Sequence, residues 1–489
     1  MTKCVRTRFA PSPTGDPHLG SMRTAIFGWL FARSNCGSFI FRIEDTDRSR
    51  TVEEASQKII TALNWLGLDW DEGPTVGGDY EPYYQSQRLD HYDKAIKSLL
   101  ETNAAYRCYC TADRLSGLRE KQQDRKESTH YDRRCRVMTD AERKLQEARG
   151  TPNVVRFAMP FSGKTTIHDL IRGEVSFENN LIDDFIILKS DGFPTYHLAA
   201  TVDDHVMEIT HVMRGEEWLP SAPGHIQIYK AMGWTPPLFA HLPVILAPDR
   251  SKLSKRSGAA SALDYQDQGY VPDAMVNFLA LLGWSLDDKT EIISRTDLIK
   301  HFSIERIAKS SAVFNIDKLN WLNGEYLRSM SVANLTDLLL DYWDQHPTPG
   351  IPDSPDKEYL LQIVPIIRDR LKTLADAAPL IPFFFTDVVE YETIELVQKK
   401  MDMEGTQTLL TASLESLQAL DIFDAVSLDK ALRSLASTHN VTVGQLLGSL
   451  RVALTGLRIS PPLFETMEIL GRNRTLTSIK SAVELLSSS

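Results

Sequence analysis

Arg6-Thr7-Arg8-Phe9-Ala10, followed by Pro11-Ser12-Pro13-Thr14-Gly15-Asp16-Pro17-His18-Leu19-Gly20, is the stretch on which the fold turns. Three prolines and two glycines among residues 11–20 rule out regular helix or strand there, and a rigid loop is predicted. Beyond it Met22, Ala25, Ile26, Trp29 and Leu30 recur every three to four residues, the pattern of one helix face, which Gly37 is expected to end. Phe39-Ile40-Phe41-Arg42-Ile43-Glu44-Asp45 then reads as a strand. Strand, loop, helix and strand make a βαβ unit that opens a parallel sheet. In such a unit the loop stands at the carboxyl edge of the sheet with the helix N-terminus facing it, where unpaired N–H groups favour a phosphate. His18 is placed to donate to a phosphoryl oxygen, and Gly20 lets a nucleoside approach the backbone. Taken alone, the motif reads better as a proline-stiffened turn with a surface histidine.

A second phosphate-type motif shifts that balance. Thr51-Val52-Glu53-Glu54 reads as a capping box, starting a helix with Ala55, Ile59, Leu63 and Leu66 inward and Gly67 as its stop. Strands are predicted again over 184–188, 208–213 and 241–246. Behind the last stands Lys252-Leu253-Ser254-Lys255-Arg256-Ser257-Gly258, a basic loop suited to neutralising charge on a pentavalent phosphorus. Such a string by itself is a solvated turn. Its pairing with His18-Leu19-Gly20, more than two hundred residues earlier, is far more specific.

Composition bounds the rest. A chain of 489 residues divides into two to four domains. Five cysteines do not make a disulfide scaffold, the start carries no secretory pattern, and the most apolar run, 379–385, is interrupted by Pro382 and too short to span a bilayer. A reducing cytoplasm is the expected location. The net charge of −11 counts against nucleic-acid binding taken alone, yet binding needs a local basic surface, not a basic total. Residues 114–136 hold eight Lys or Arg against four acids, and Arg451, Arg458, Arg472, Arg474 and Lys480 form a second basic stretch. Solvated helix faces are the plainer account of both.

Arg8-Phe9-Ala10-Pro11-Ser12-Pro13-Thr14-Gly15 with His18-Leu19-Gly20-Ser21, Arg42-Ile43-Glu44-Asp45-Thr46-Asp47 and Lys252-Leu253-Ser254-Lys255-Arg256 together resemble the bacterial glutamyl-tRNA synthetases, a family of class I aminoacyl-tRNA synthetases. The resemblance continues through Thr195-Tyr196-His197, Val202-Asp203-Asp204-His205, Arg214-Gly215-Glu216-Glu217-Trp218 and Trp321-Leu322-Asn323-Gly324, and is looser beyond. Ser21 departs from the class signature, whose last position is histidine, so His18 alone carries the imidazole role.

The resemblance implies an α/β fold: a Rossmann-like parallel-sheet catalytic domain with an inserted acceptor-binding domain, then an all-α anticodon-binding domain. The expected segments are 1–105 and 186–260 for the two catalytic halves, 106–185 for the insertion, 261–345 for a stem-contact linker and 346–489 for the helical domain, with the proline-rich 347–355 as the main break. It implies ATP and Mg²⁺ as cofactors, glutamate and tRNA(Glu) as partners, and a monomer that needs bound tRNA for activation. It assigns ATP binding to His18, Gly20, Lys252, Ser254, Lys255 and Arg256, with His18, Lys252 and Lys255 stabilising phosphate charge. It assigns glutamate to Arg8, Ala10, Ser12, Glu44, Tyr196 and Arg214. Arg suits a planar carboxylate, and Glu44 would accept from the ammonium. Ala200 stands where relatives carry a ligand asparagine, and that contact is not expected. Arg368 and Arg370 are the candidate anticodon contacts, Arg370 the discriminating one.

Some relatives hold structural zinc in the insertion. Cys108, Cys110 and Cys135 supply three thiols here, and Val137 replaces the histidine. The fourth donor falls to Tyr131 or His130, neither routine, so the sequence leaves zinc open. Three functions stand against one another: a glutamate-specific synthetase, one that also charges tRNA(Gln), and a non-catalytic RNA-binding relative or small-molecule nucleotidyltransferase. Retention of His18, Lys255 and both pocket arginines favours the first.

Overall fold

The computed structural model describes residues 4–47, 53–253 and 261–488. The chain divides into two compact units, one built from residues up to Gln266 together with Pro272–Ile316, the other from Asp267–Val271 and the chain from Asp317 onward.

The first unit is organised on a six-stranded sheet. Its strands are β1 (Arg6–Phe9), β2 (Ser38–Phe41), β5 (Lys164–Asp169), β6 (Gly173–Glu178), β8 (His211–Gly215) and β9 (Leu238–Leu242), in the order β2-β1-β8-β9-β5-β6. All neighbours run parallel except the β5–β6 hairpin. Thr7, Arg8 and Phe9 are all buried, as expected for a parallel strand covered on both faces. Helix α1 (Leu19–Ser34) crosses from β1 to β2, with Met22, Ala25, Ile26, Trp29 and Leu30 buried as their spacing predicts. Helix α2 (Glu53–Trp65) buries Ala55, Ile59 and Leu63, with Leu66 just beyond, and Gly67 at φ 64° follows it. The capping box over 51–54 lies largely outside the described residues.

Several expected elements end elsewhere. At the end of α1 it is Cys36, at φ 50°, that turns left-handed. Gly37 serves another purpose: a Cβ there would stand 2.2 Å from the Val5 carbonyl oxygen, so its bareness lets β1 come close. The strand expected over 39–45 stops at Phe41. Glu208 is left-handed at φ 54°, so the strand expected over 208–213 begins at His211. Pro243, lacking an N–H, divides 241–246 into β9 and a two-residue strand β10 (Ile245–Leu246), which pairs with β11 (Ala312–Val313). Two assignments of strands to sheets are corrected. The strand over 184–188, expected to resume the parallel sheet, is β7 (Ile186–Leu188), and it joins β3 (Ala105–Cys108) and β4 (Val154–Phe157) in a separate antiparallel sheet. Conversely, the β5–β6 hairpin of the expected insertion extends the main sheet, with Asp169 opposite Phe239.

The second unit, among its described residues, is helical. Its longer helices include Val332–Gln345, Lys357–Ile367, Met403–Gln418, Ala425–Thr438, Val443–Thr455 and Leu463–Ser487, the last broken at Gly471 (φ 78°, ψ 163°). Their starts are written in the sequence. Ser331, Asp402, Asp424 and Thr442 each accept from the N–H three residues on, relieving donors that a helix leaves unpaired. Leu335, Leu339, Leu360, Val364 and Ile367 are buried, and the proline-rich 347–355 lies inside this unit.

Candidate active site

β2 leaves β1 on one side and β8 joins it on the other. The chain therefore reverses its lateral direction between β1 and β8, and the crevice beyond the carboxyl ends of strands at such a point is where open α/β sheets take their ligands. Arg8 near the end of β1, Glu44 just after β2, Arg214 near the end of β8 and His241 opposite it on β9 all stand at this edge.

The loop after β1 is tied to the chain after β2, since Arg42 N donates to Phe9 O at 3.0 Å and Glu44 N to Pro11 O at 3.0 Å. His18 caps α1. Its Nδ1 accepts from Ser21 N at 3.2 Å, which places the ring proton on Nε2, and the residue is exposed. A Cβ at position 20 would meet His18 Nδ1 at 3.2 Å. The space gained at Gly20 is thus taken up by the capping imidazole. Ala10 is half-buried and Ser12 exposed on the same loop.

Two arginines were expected to hold a carboxylate, and their surroundings differ. Arg8 is occupied: Nε lies 3.2 Å from Asp204 Oδ1 and Nη2 3.4 Å from Oδ2. Arg42, fully buried, reaches the same Asp204 at 2.9 Å and Glu44 Oε1 at 3.2 Å. Burial pushes the Glu44 carboxyl up, against the pull of Arg42 and Arg8. Asp203 anchors the neighbouring wall, accepting from Arg88, Gln85 and Tyr92 at 2.7–2.8 Å.

Arg214, also buried, has a different cage. Nε donates to His241 Nε2 at 3.0 Å, Nη1 to the Tyr196 hydroxyl at 2.8 Å and to His225 Nδ1 at 3.4 Å, and Nη2 to Trp218 O at 3.3 Å. All of these acceptors are uncharged, and among the described residues no carboxylate pairs with it. Burial first, and the arginine second, push His197 down to about 4 and His225 well below its ordinary value; burial lowers His241 too, although Asp169 offsets part of it. The histidines are neutral, and a buried guanidinium with neutral partners is a ready counterpart for an incoming carboxylate. His225 and His241 beside Arg214, with Asp169 behind His241, are residues the sequence reading missed. No local signal marks them, because their closeness to Arg214 depends on strand register and helix packing.

Of the basic loop, Ser254, Lys255 and Arg256 lie outside the described residues. Lys252 pairs with Leu246 in an antiparallel bridge, and its Nζ stands 3.6 Å from Glu217 Oε1.

A family model described as class I tRNA synthetases (E and Q), catalytic domain, matches residues 4–321. The chain belongs to that family. A second model, an anticodon binding domain, matches 334–483. A glutamate–tRNA ligase from Dehalococcoides mccartyi is 51% identical over 487 residues, covering 100% of this chain and 99% of the relative. One from Moorella thermoacetica is 46% identical over 98% of both. The crystal structure of a glutamate tRNA ligase from Elizabethkingia meningosepticum in complex with its amino acid superposes with a TM-score of 0.90 at 36% identity, covering 99% of this chain and all of that one. The catalytic-domain match in this class I synthetase thus spans both halves of the main sheet and the segment between them.

Within that segment the sulfur atoms of Cys108, Cys110 and Cys135 lie within 4.8 Å of one another. Cys110 and Cys135 are 3.5 Å apart, close to the ~3.8 Å that a tetrahedral zinc with ~2.3 Å bonds imposes. The Tyr131 hydroxyl lies 3.4 Å from Cys108 Sγ and 3.7 Å from Cys110 Sγ. The His130 ring is turned to Ser128 O at 2.8 Å. Of the two candidate fourth donors, Tyr131 is the one at the cluster, while Val137 is exposed. The hydrogen bond that Cys108 and Cys135 share pulls the Cys108 thiol down and pushes Cys135 up, while burial pushes Tyr131 up. It is three thiols and an oxygen at this spacing that fit a divalent cation.

In the helical unit Arg368 and Arg370 bound a short 3₁₀ turn after the helix Lys357–Ile367. Arg370 is exposed. It is near enough to Arg451 to lower that group's pKa, after burial. Like charges left together suit a polyanion. No helix among the described residues is long and apolar enough to cross a membrane.

Proposed function

We propose that this chain is a glutamate–tRNA ligase that activates glutamate with ATP and transfers it to the 3′ end of tRNA(Glu). The observation that carries the reading is Arg214, a buried cation at the sheet's switch point with neutral partners and no carboxylate of its own among the described residues. It binds the side-chain carboxylate of glutamate. The Nη1 hydrogen bond uses a lone pair of Tyr196, whose own proton turns to the substrate. Arg8, held on one edge by Asp204, adds positive potential. Glu44 accepts from the ammonium, and Ala10 and Ser12 line that end.

The α-carboxylate of glutamate attacks the α-phosphorus of ATP. One oxygen–phosphorus bond forms while the bond to the bridging oxygen breaks, and pyrophosphate leaves with the electron pair. No protein nucleophile is required, and rate comes from alignment and charge stabilisation. His18 Nε2–H, at the start of α1, donates to a phosphoryl oxygen, with Gly20 beside it. Lys252, Ser254, Lys255 and Arg256 hold the remaining phosphates. Mg²⁺, arriving with ATP, would help to neutralise the phosphate charge. The terminal ribose hydroxyl of tRNA then attacks the acyl carbon and AMP leaves. Cys108, Cys110, Cys135 and Tyr131 would hold a structural zinc, which would stiffen the acceptor-binding insertion. Arg370 reads the anticodon, with Arg368 beside it. The chain acts as a cytoplasmic monomer in the five segments expected from the sequence.

The test is glutamate-dependent ATP–pyrophosphate exchange with no tRNA, with tRNA(Glu) and with tRNA(Gln). Exchange with tRNA(Glu) alone is expected. Exchange with both would keep the chemistry and overturn the role given to Arg370. Folded protein that binds ATP but exchanges with neither would overturn the enzyme.

A further inference from the structure

Arg214 owes its direction to groups that do not reach the pocket mouth. His241 can accept from Arg214 Nε only if its Nε2 is bare, so the ring proton must sit on Nδ1. That proton points at Asp169 Oδ2, 2.6 Å away, and both side chains are fully buried. Asp169 is itself fixed: its Oδ1 accepts from Ile171 N at 3.0 Å and Arg172 N at 2.8 Å, and its Oδ2 from His241 N at 3.1 Å. On the other side His225, bare at Nδ1 towards Arg214, turns its Nε2 to His197 Nδ1 at 3.2 Å. Arg214 also lies over the Phe239 ring at 5.3 Å. A guanidinium has no acceptor, and every group around it must offer a lone pair. An imidazole presented in the wrong tautomer would oppose one donor to another.

We propose that Asp169 and His241 are positioning residues for the amino-acid pocket: Asp169 fixes the tautomer of His241, and the bare Nε2 of His241 aims Arg214 so that the site selects a carboxylate over an amide. The inference rests on the reading that Arg214 binds the glutamate side chain. Its topological consequence is that the insertion's β5–β6 hairpin, through Asp169 at its turn, is part of the amino-acid site. Arg172, the next charged residue after Asp169, reinforces the tie by pairing with Glu216 and donating to His241 O at 3.3 Å.

The experiment is tRNA-supported pyrophosphate exchange on full-length variants, with KM read separately for glutamate, glutamine and ATP. In Asp169→Asn the amide oxygen keeps the turn bonds and accepts from His241 N, which lies 3.3 Å from Oδ1, while Nδ2 donates to His241 Nδ1, which drives the ring proton to Nε2 and against Arg214. His241→Phe removes the acceptor at similar shape, and His241→Gln restores an oxygen near the Nε2 position. Loss of one buried charge-assisted hydrogen bond predicts a glutamate KM raised about ten- to a hundredfold, an unchanged ATP KM, a narrowed preference for glutamate over glutamine, and partial recovery in His241→Gln. A glutamate KM unchanged in folded Asp169→Asn, or an equal rise in both KM values, overturns the relay. Arg214→Ala separates the two readings. If it leaves the glutamate KM unchanged, the pocket assignment fails. If it raises that KM while Asp169→Asn does not, the relay alone fails.

Discussion

At the scale of single residues, the pocket combines charges that the fold neutralises with one that it does not. Arg8 and Arg42 share Asp204, whereas Arg214 is held by two neutral imidazoles, a hydroxyl and one carbonyl. That cage has a consequence for stability. His197, His225 and His241 are all held below the ordinary histidine value, His197 at about 4. Above a pH of about 6.5 they are neutral in both the folded and unfolded chain and contribute nothing. As pH falls below that, the unfolded chain takes up protons that the folded chain refuses, so stability declines from about 6.5 towards the folded value of about 4. Thermal melts across this window are expected to show a falling Tm, with a shallower slope in His197→Gln. A slope the same in both proteins would contradict the assignment to His197. Arg8, Glu44, Tyr196 and Arg214 were legible in the sequence as chemically apt residues. That Arg8 is largely occupied was not, because Asp204 is 196 positions away in the chain.

At the scale of elements, periodicity and capping residues were reliable where they act locally. The apolar stripe of α1 and the polar caps of the C-terminal helices follow from spacing alone, because a helix pairs its backbone within itself. Strands depend on neighbours, and there the reading slipped: β7 belongs to the small antiparallel sheet and the β5–β6 hairpin to the main one. The small sheet ends at the thiol cluster, Cys108 being the last residue of β3. Metal analysis of protein purified without chelator is expected to find one zinc per chain, lost in Cys108→Ser and bound more weakly in Tyr131→Phe. Chelation should lower Tm, since binding energy at a structural site is folding energy. Native protein that purifies without metal, and whose Tm chelation leaves unmoved, would remove zinc from the account.

At the scale of the whole molecule, the chain visits the second unit before it settles there. Asp267–Val271 belongs to the helical unit: Leu374 N donates to Gly269 O at 2.9 Å and Val271 N to Asn323 Oδ1 at 2.9 Å. Gly269 sits at φ +80°, and a Cβ would stand 2.8 Å from Ala375 N and 2.9 Å from Leu374 N. These are backbone atoms that cannot swing aside. Gly269→Ala is therefore expected to destabilise the second unit by about 3 kcal/mol. Calorimetry should show a lowered transition temperature; an unmoved one would contradict this.

The sequence by itself determined the residue types and the local elements: the proline-rich loop after β1, the helix stripe behind it, the basic string far downstream and the capped helices of the second half. These depend on spacing within a few residues or on side-chain type. Only the tertiary structure decided which charges cancel, which strands share a sheet and which histidines surround Arg214. Those outcomes rest on strand register and long-range packing, where a shift of one residue turns every side chain to the opposite face and a buried cation is cancelled or left ready by whichever partner the fold brings beside it.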